Sequence, residues 1–188
     1  MNLKSYWEKA LTPEDYIALS EERAQKNPNP NDPYQEYYEL GLQRMQRILK
    51  TFKPDEEQLK TLKEKNFNGK ILIISEPWCG DASTTVPAVF KFFEGHNEVR
   101  IFLRDRDESL INQFLTNGSK SIPLVIILDE NDEALHRWGP RPAYGIELLA
   151  KYKANPEAYP KESFYNDLQV YYAKNKGKDA IEEILNLI

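Results

Sequence analysis

The chain has 188 residues, with 25 Lys and Arg against 30 Asp and Glu, for a formal net charge of −5. That length holds one decorated domain with a proper core and is short for two independent ones. A hydrophobic share of 40% with 29% charged residues excludes a disordered chain, and the absence of a long basic stripe argues against nucleic acid as a partner.

Residues Met1 to Leu11 carry Lys4, Glu8 and Lys9 among apolar neighbours, so the continuous apolar core of a secretory signal is missing. The aliphatic runs Ile71 to Ile74 and Leu124 to Leu128 are far too short to cross a bilayer. The expectation is a cytoplasmic protein with no membrane partner. A single cysteine, Cys79, excludes an internal disulfide.

The first part of the chain, to about Asn66, reads as helical. Thr12, with Pro13 in the first turn and Asp15 three residues on, forms a capping signal that starts a helix near Pro13. After the turn-rich stretch Asn27 to Pro33, residues Tyr38, Leu42, Met45, Leu49 and Phe52 recur at alternating spacings of four and three, one helical face. A further helix is expected over Pro54 to Lys65, with Leu59 and Leu62 inward and Asp55, Glu56 and Glu57 complementing the dipole at its start.

From Lys70 short aliphatic runs alternate with helical patterns, which predicts an α/β layer with parallel strands. Ile71 to Ser75 is the first strand, and a helix from about Cys79 to Phe93 follows, closed by Gly95. Val99, Ile101 and Leu103 alternate as a second strand, before Asp107 caps a helix carrying Leu110, Ile111, Phe114 and Leu115 that ends at Asn117-Gly118. Leu124 to Leu128 and Ala134 to Trp138 are joined by a polar turn short enough for an antiparallel hairpin, and a helix follows from Pro142. Beyond it, Phe164, Leu168 and Tyr171, then Ile181, Ile184, Leu185 and Ile188, keep helical spacing.

Here the chain resembles the thioredoxin superfamily. Trp78-Cys79-Gly80 at the end of the first central strand resembles the family's active-site turn, and Pro87, eight residues after Cys79, matches the proline inside its active-site helix. Ser121-Ile122-Pro123 resembles the cis-proline loop, and the Gly139 turn fits as well. The resemblance covers about Asn66 to Lys151 and is nearest to a bacterial branch with a helical N-terminal extension. It implies a thioredoxin-like three-layer α/β fold with a central mixed sheet and extra helices at both ends. The organisation expected is a helical extension over residues 1–66, the thioredoxin-like domain over 67–152 and a C-terminal helical segment over 153–188.

Cys79 sits where a strand ends and a helix begins, so free backbone N–H groups and the helix dipole favour its thiolate. A pKa below that of free cysteine is the expectation. In the family a second cysteine, three residues on, resolves the mixed disulfide; here that position is Ala82, so an external thiol would have to do it. Asp81 replaces the proline common in the family, and a carboxylate beside the thiol opposes ionisation unless it is engaged elsewhere. Ile73 stands where the family often buries an acid. The resemblance also makes Ile122 and Pro123 the edge on which an extended substrate would pair.

Other constellations are weaker. His96 and His136 lie in different elements without a second cysteine, so no metal and no cofactor is expected. Ser83 reads as a helix-start hydroxyl and Asn117-Gly118-Ser119 as a turn. Trp138-Gly139-Pro140-Arg141-Pro142 reads as the loop leaving the sheet, with Arg141 facing the active-site rim. Tyr34, Tyr37, Tyr38, Tyr171 and Tyr172 read as core rather than as a partner surface.

Two functions stand side by side for a site made of Cys79 with Trp78, Gly80, Asp81 and Ala82. One is monothiol thiol–disulfide redox chemistry, with Cys79 catalytic and a protein or small-molecule thiol or disulfide as partner. The other is a degenerate module that binds a peptide or protein without catalysis. An iron–sulfur cluster shared with an external thiol is disfavoured, because the turn lacks the Cys-Gly-Phe-Ser sequence of monothiol glutaredoxins.

Overall fold

The computed structural model describes residues 1–25 and 32–188. Of the turn-rich stretch from Asn27 to Pro33, residues 27–31 lie outside the described residues. Helices α1 (Lys4–Lys9), α2 (Pro13–Arg23), α3 (Gln35–Thr51) and α4 (Glu56–Lys65) precede strand β1 (Lys70–Ser75). Helix α5 (Ala82–Phe93), β2 (Val99–Leu103), β3 (Leu124–Leu128), β4 (Ala134–Trp138) and helices α6 (Ala143–Ala154), α7 (Lys161–Asn175) and α8 (Lys178–Leu185) follow.

The sheet order is β2-β1-β3-β4. Strands β1 and β2 are parallel, with Ile73 opposite Ile101, whereas β3 runs antiparallel to both β1 and β4. This is the mixed α/β sheet that the resemblance implies. The central strands β1 and β3 are aliphatic on both faces because both are covered, and Ile71 to Ile74 and Leu124 to Leu128 are all buried. Strand β4 is an edge, so Leu135, His136 and Arg137 are exposed.

The local signals act where expected. Thr12 Oγ1 accepts the Asp15 N–H at 3.1 Å and starts α2 at Pro13. Asp55 Oδ1 accepts the Glu57 N–H at 3.1 Å at the head of α4, which ends with Asn66 in the left-handed region at φ 49°. On α3, Tyr38, Met45 and Phe52 are buried as the periodicity requires, together with Gly41 and Ile48. This face packs on α5, which also contacts β1 and α8. Helices α6 and α7 form a smaller satellite core of Leu148, Tyr159, Phe164, Leu168 and Tyr172.

One expectation of the fold fails, and one helix lies ahead of the first start signal read from the sequence. Asp107 does not open an α-helix: its Oδ1 accepts the Ser109 N–H at 2.9 Å, and only Ile111–Gln113 form a short 3-10 turn. The segment has to carry the chain from β2 to the far side of β1, and it buries Leu110 and Ile111 while leaving Leu115 exposed. A one-turn anchor satisfies that geometry, and tertiary packing overrides helical spacing. Helix α1 is not anticipated either; Leu3 and Trp7 bury against the core, with the Arg100 guanidinium 5.0 Å from the Trp7 ring. After it, Leu11 pairs with Ile101 through two hydrogen bonds of 2.8 and 2.9 Å and caps the β2 edge.

Candidate functional site

The turn between β1 and α5 is Glu76-Pro77-Trp78-Cys79-Gly80-Asp81. Its backbone is closed by Cys79 N–H donating to the Glu76 carbonyl at 3.1 Å and Ser83 N–H donating to the Cys79 carbonyl at 3.1 Å. Helix α5 starts at Ala82 rather than at Cys79. Asp81 is held from outside the helix start: its side chain makes no capping bond, and Arg141 grips it instead, Nη2 to Oδ2 at 2.6 Å and Nε to Oδ1 at 3.1 Å. The Tyr172 hydroxyl donates to Oδ1 at 2.9 Å. A carboxylate bound by a guanidinium fork and a phenol is matched in charge and hydrogen bonding. Burial pushes its pKa up while Arg141 and Tyr172 pull it back.

Cys79 is 7% exposed, and its Sγ lies 3.5 Å from the Ile122 carbonyl, to which it is placed to donate. The expected fall in its pKa is overturned. Desolvation, and then the nearby Asp81 carboxylate, push the thiol up to about 12. The helix-start effect read from the sequence is present, since the Ala82 and Asp81 N–H groups favour the thiolate, as does Arg141, but together they are outweighed. The group rests as a protonated thiol.

Glu76 is the acid that sequence reasoning missed. It is 1% exposed at the end of β1; its Oε1 accepts the Asp105 N–H at 2.7 Å and its Oε2 takes Arg23 Nη1 at 3.1 Å. Burial pushes its pKa up. Through Asp105 it supports Trp78, whose Nε1 donates to Asp105 Oδ2 at 3.0 Å. Tyr34 stacks on the Trp78 ring at 4.1 Å with planes 9° apart, and the Arg104 guanidinium lies 4.8 Å from the ring centroid. An acid directly after a buried aliphatic strand is the signal that could have found Glu76, since such a residue must be paired.

A cavity of about 580 Å³ opens over this turn. Trp78, Cys79, Gly80, Asp81 and Ile122 line it, so the structure brings these together. Ala82 and Pro123 are buried and do not reach the lining. The Ile122-Pro123 bond is cis, as the resemblance implies, and Gly139-Pro140 is cis as well. Arg141 faces the site rim as read from its sequence context. Of the tyrosines, Tyr38 and Tyr172 are core, whereas Tyr34 and Tyr37 line the cavity with Tyr165. Ser83 Oγ donates to the Gly80 carbonyl at 2.8 Å, the helix-start role expected of it. Among the described residues no cluster of His, Cys, Asp and Glu could hold a metal ion, and no helix is long and apolar enough to cross a membrane.

A family model described as thioredoxin matches residues 27–153, more than half of the chain, and the chain belongs to that family. Among solved structures, a Pseudomonas aeruginosa protein of unknown function is similar at 17% identity and a TM-score of 0.65, covering 100% of this chain and 96% of its own. An HIV epitope scaffold is similar at 17% identity and a TM-score of 0.68, covering 100% and 97%. These likenesses are of fold, and they extend over the helices on either side of the sheet. No curated protein matches.

Proposed function

We propose that this chain is a thioredoxin-fold binding protein, whose cavity beside Trp78 and the Ile122 edge takes up a peptide segment of a partner without turnover at Cys79. The carrying observation is the state of the thiol: buried, with its pKa pushed up to about 12, and followed at the resolving position by Ala82. Such a thiol has almost no thiolate at neutral pH, and exchange needs the thiolate. Beside it stand a stacked aromatic wall and Ile122 in the cavity lining, where an extended chain could lie against them.

The pH dependence of iodoacetamide alkylation, against a free-cysteine peptide and a Cys79→Ser control, tests the reading. Alkylation that stays slow through pH 9 supports it. A rate plateau below about pH 8 would mean an activated thiolate and replace it with the second reading.

That second reading is monothiol exchange, favoured by the Ala82 and Asp81 N–H groups directed at Sγ. The Cys79 thiolate would attack one sulfur of a partner disulfide, release the other as a thiolate and leave a mixed disulfide. An external thiolate would then attack that bond and return Cys79 reduced. Mixed-disulfide formation with an aromatic disulfide at neutral pH, absent in Cys79→Ser, is its readout.

A further inference from the structure

The cavity over Gly80 runs against the charge of the whole molecule. Arg44, Arg104, Lys120, Arg141 and Lys161 all reach its lining in a chain with a formal charge of −5. Asp81 answers Arg141, Asp105 answers Arg104 at 2.6 Å and Glu108 answers Lys120 at 2.6 Å. Arg44 and Lys161 enter none of the ion pairs formed among the described residues. They approach from different helices, α3 and α7. Arg44 is half-buried, its Nη1 lying 3.7 Å from where a side chain on Gly80 would begin, and burial and the neighbouring Arg47 both pull its pKa down. A partly desolvated cation without a counter-charge is disfavoured, so an anion entering the cavity is drawn to Arg44, with the exposed Lys161 standing over the Tyr165 ring at 5.7 Å across the opening.

The rim adds the second half of the recognition. Tyr37, Leu40 and Tyr165 are 50%, 46% and 47% exposed and stand along the opening. The cavity is open along this apolar lip, so a chain segment can lie in it and pass out at either end.

We propose that the trough between α3 and α7 receives an acidic peptide segment of a partner protein, with carboxylates on Arg44 and Lys161 and an apolar side chain against Tyr37, Leu40 and Tyr165. This rests on the binding reading of the cavity and names the class of its partner. The acidic surface elsewhere repels such a segment, so the positive trough sets where it lands.

The test is fluorescence anisotropy with a short labelled peptide alternating glutamate and phenylalanine, beside counterparts in which glutamine or lysine replaces every glutamate. The acidic peptide should bind about tenfold or more tightly than the glutamine peptide at low salt, and lose that advantage as salt rises. Arg44→Gln and Lys161→Gln should each weaken the acidic peptide by about three- to tenfold, and so narrow its advantage over the glutamine peptide measured on the same variant. Equal binding of the glutamine or lysine peptide would overturn the acidic preference while leaving a peptide-binding site. Displacement of the acidic peptide by citrate or inorganic phosphate at comparable affinity would overturn the peptide and leave a small-anion site. Failure of all three peptides to bind would bring down the binding reading itself.

Discussion

Arg141 reaches Asp81 across 60 positions of sequence and binds both of its carboxylate oxygens, at 2.6 and 3.1 Å, beside the only cysteine in the chain. Both side chains are largely buried, 17% and 9% exposed. Replacing Arg141 with Met therefore leaves a largely buried carboxylate with only the Tyr172 hydroxyl as a protein partner. Breaking one side of a buried pair costs about 3–5 kcal/mol, and the loss should appear in urea unfolding of Arg141→Met. Asp81→Asn with Arg141→Met together should recover part of it, because the uncompensated charge is gone.

The thiol carries its own pH signature. Its folded pKa is raised above that of an unfolded cysteine, so the stabilisation it contributes is complete below about pH 8.5 and is lost as pH rises towards about 12. Unfolding free energy should fall across that window by up to about 1.4 kcal/mol per pH unit from this group alone. The difference between the parent protein and Cys79→Ala, measured from pH 8 to pH 10.5, isolates it. Asp81→Asn should move the alkylation pKa of Cys79 downward, because a nearby negative charge is removed.

Glu76 should matter for stability and for the posture of Trp78. Glu76→Ala leaves the Asp105 N–H and the Arg23 guanidinium without their acceptor, a loss of about 2–4 kcal/mol. Because Asp105 holds the Trp78 indole, the same variant should shift tryptophan emission toward that of a more hydrated ring. An unchanged spectrum with lowered stability would separate the two roles.

Gly139 is a backbone requirement rather than a preference. Its φ is 127°, and a Cβ there would lie 2.4 Å from the Pro123 carbonyl oxygen and 3.3 Å from the Leu124 Cα. Gly139→Ala should lower stability by about 2–4 kcal/mol and displace the Ile122 edge, so that peptide affinity falls with it. Thermal unfolding and the anisotropy assay read the two effects separately.

The sheet and the active-site turn were legible because their signals are local. Continuous aliphatic runs at Ile71 and Leu124 mark covered strands, and the Thr12 cap and the acidic run Asp55 to Glu57 mark helix starts within a residue or two. The segment after Asp107 was misread because apolar spacing there serves a crossing loop that anchors Leu110 and Ile111 without a helix. The thiol was misread for a related reason: helix-start stabilisation is visible in the turn itself, but the burial that outweighs it comes from the surrounding fold. Arg44, Lys161 and Tyr172 were invisible as site residues, since α3 and α7 meet the turn only in three dimensions. Arg141 could be placed at the rim because a Pro-bounded loop after the last strand returns to the end of the sheet where Cys79 sits.

The pairing of Leu11 with Ile101 has a consequence for handling the protein. A parallel strand at the margin of a sheet offers a row of free amides and carbonyls to any neighbouring molecule, and here an N-terminal residue occupies part of that row. Trimming the chain to Pro13 would therefore do more than remove the α1 helix and its Trp7 anchor. It would bare the β2 margin, and the shortened protein should self-associate into aggregates at concentrations where the full chain stays dispersed.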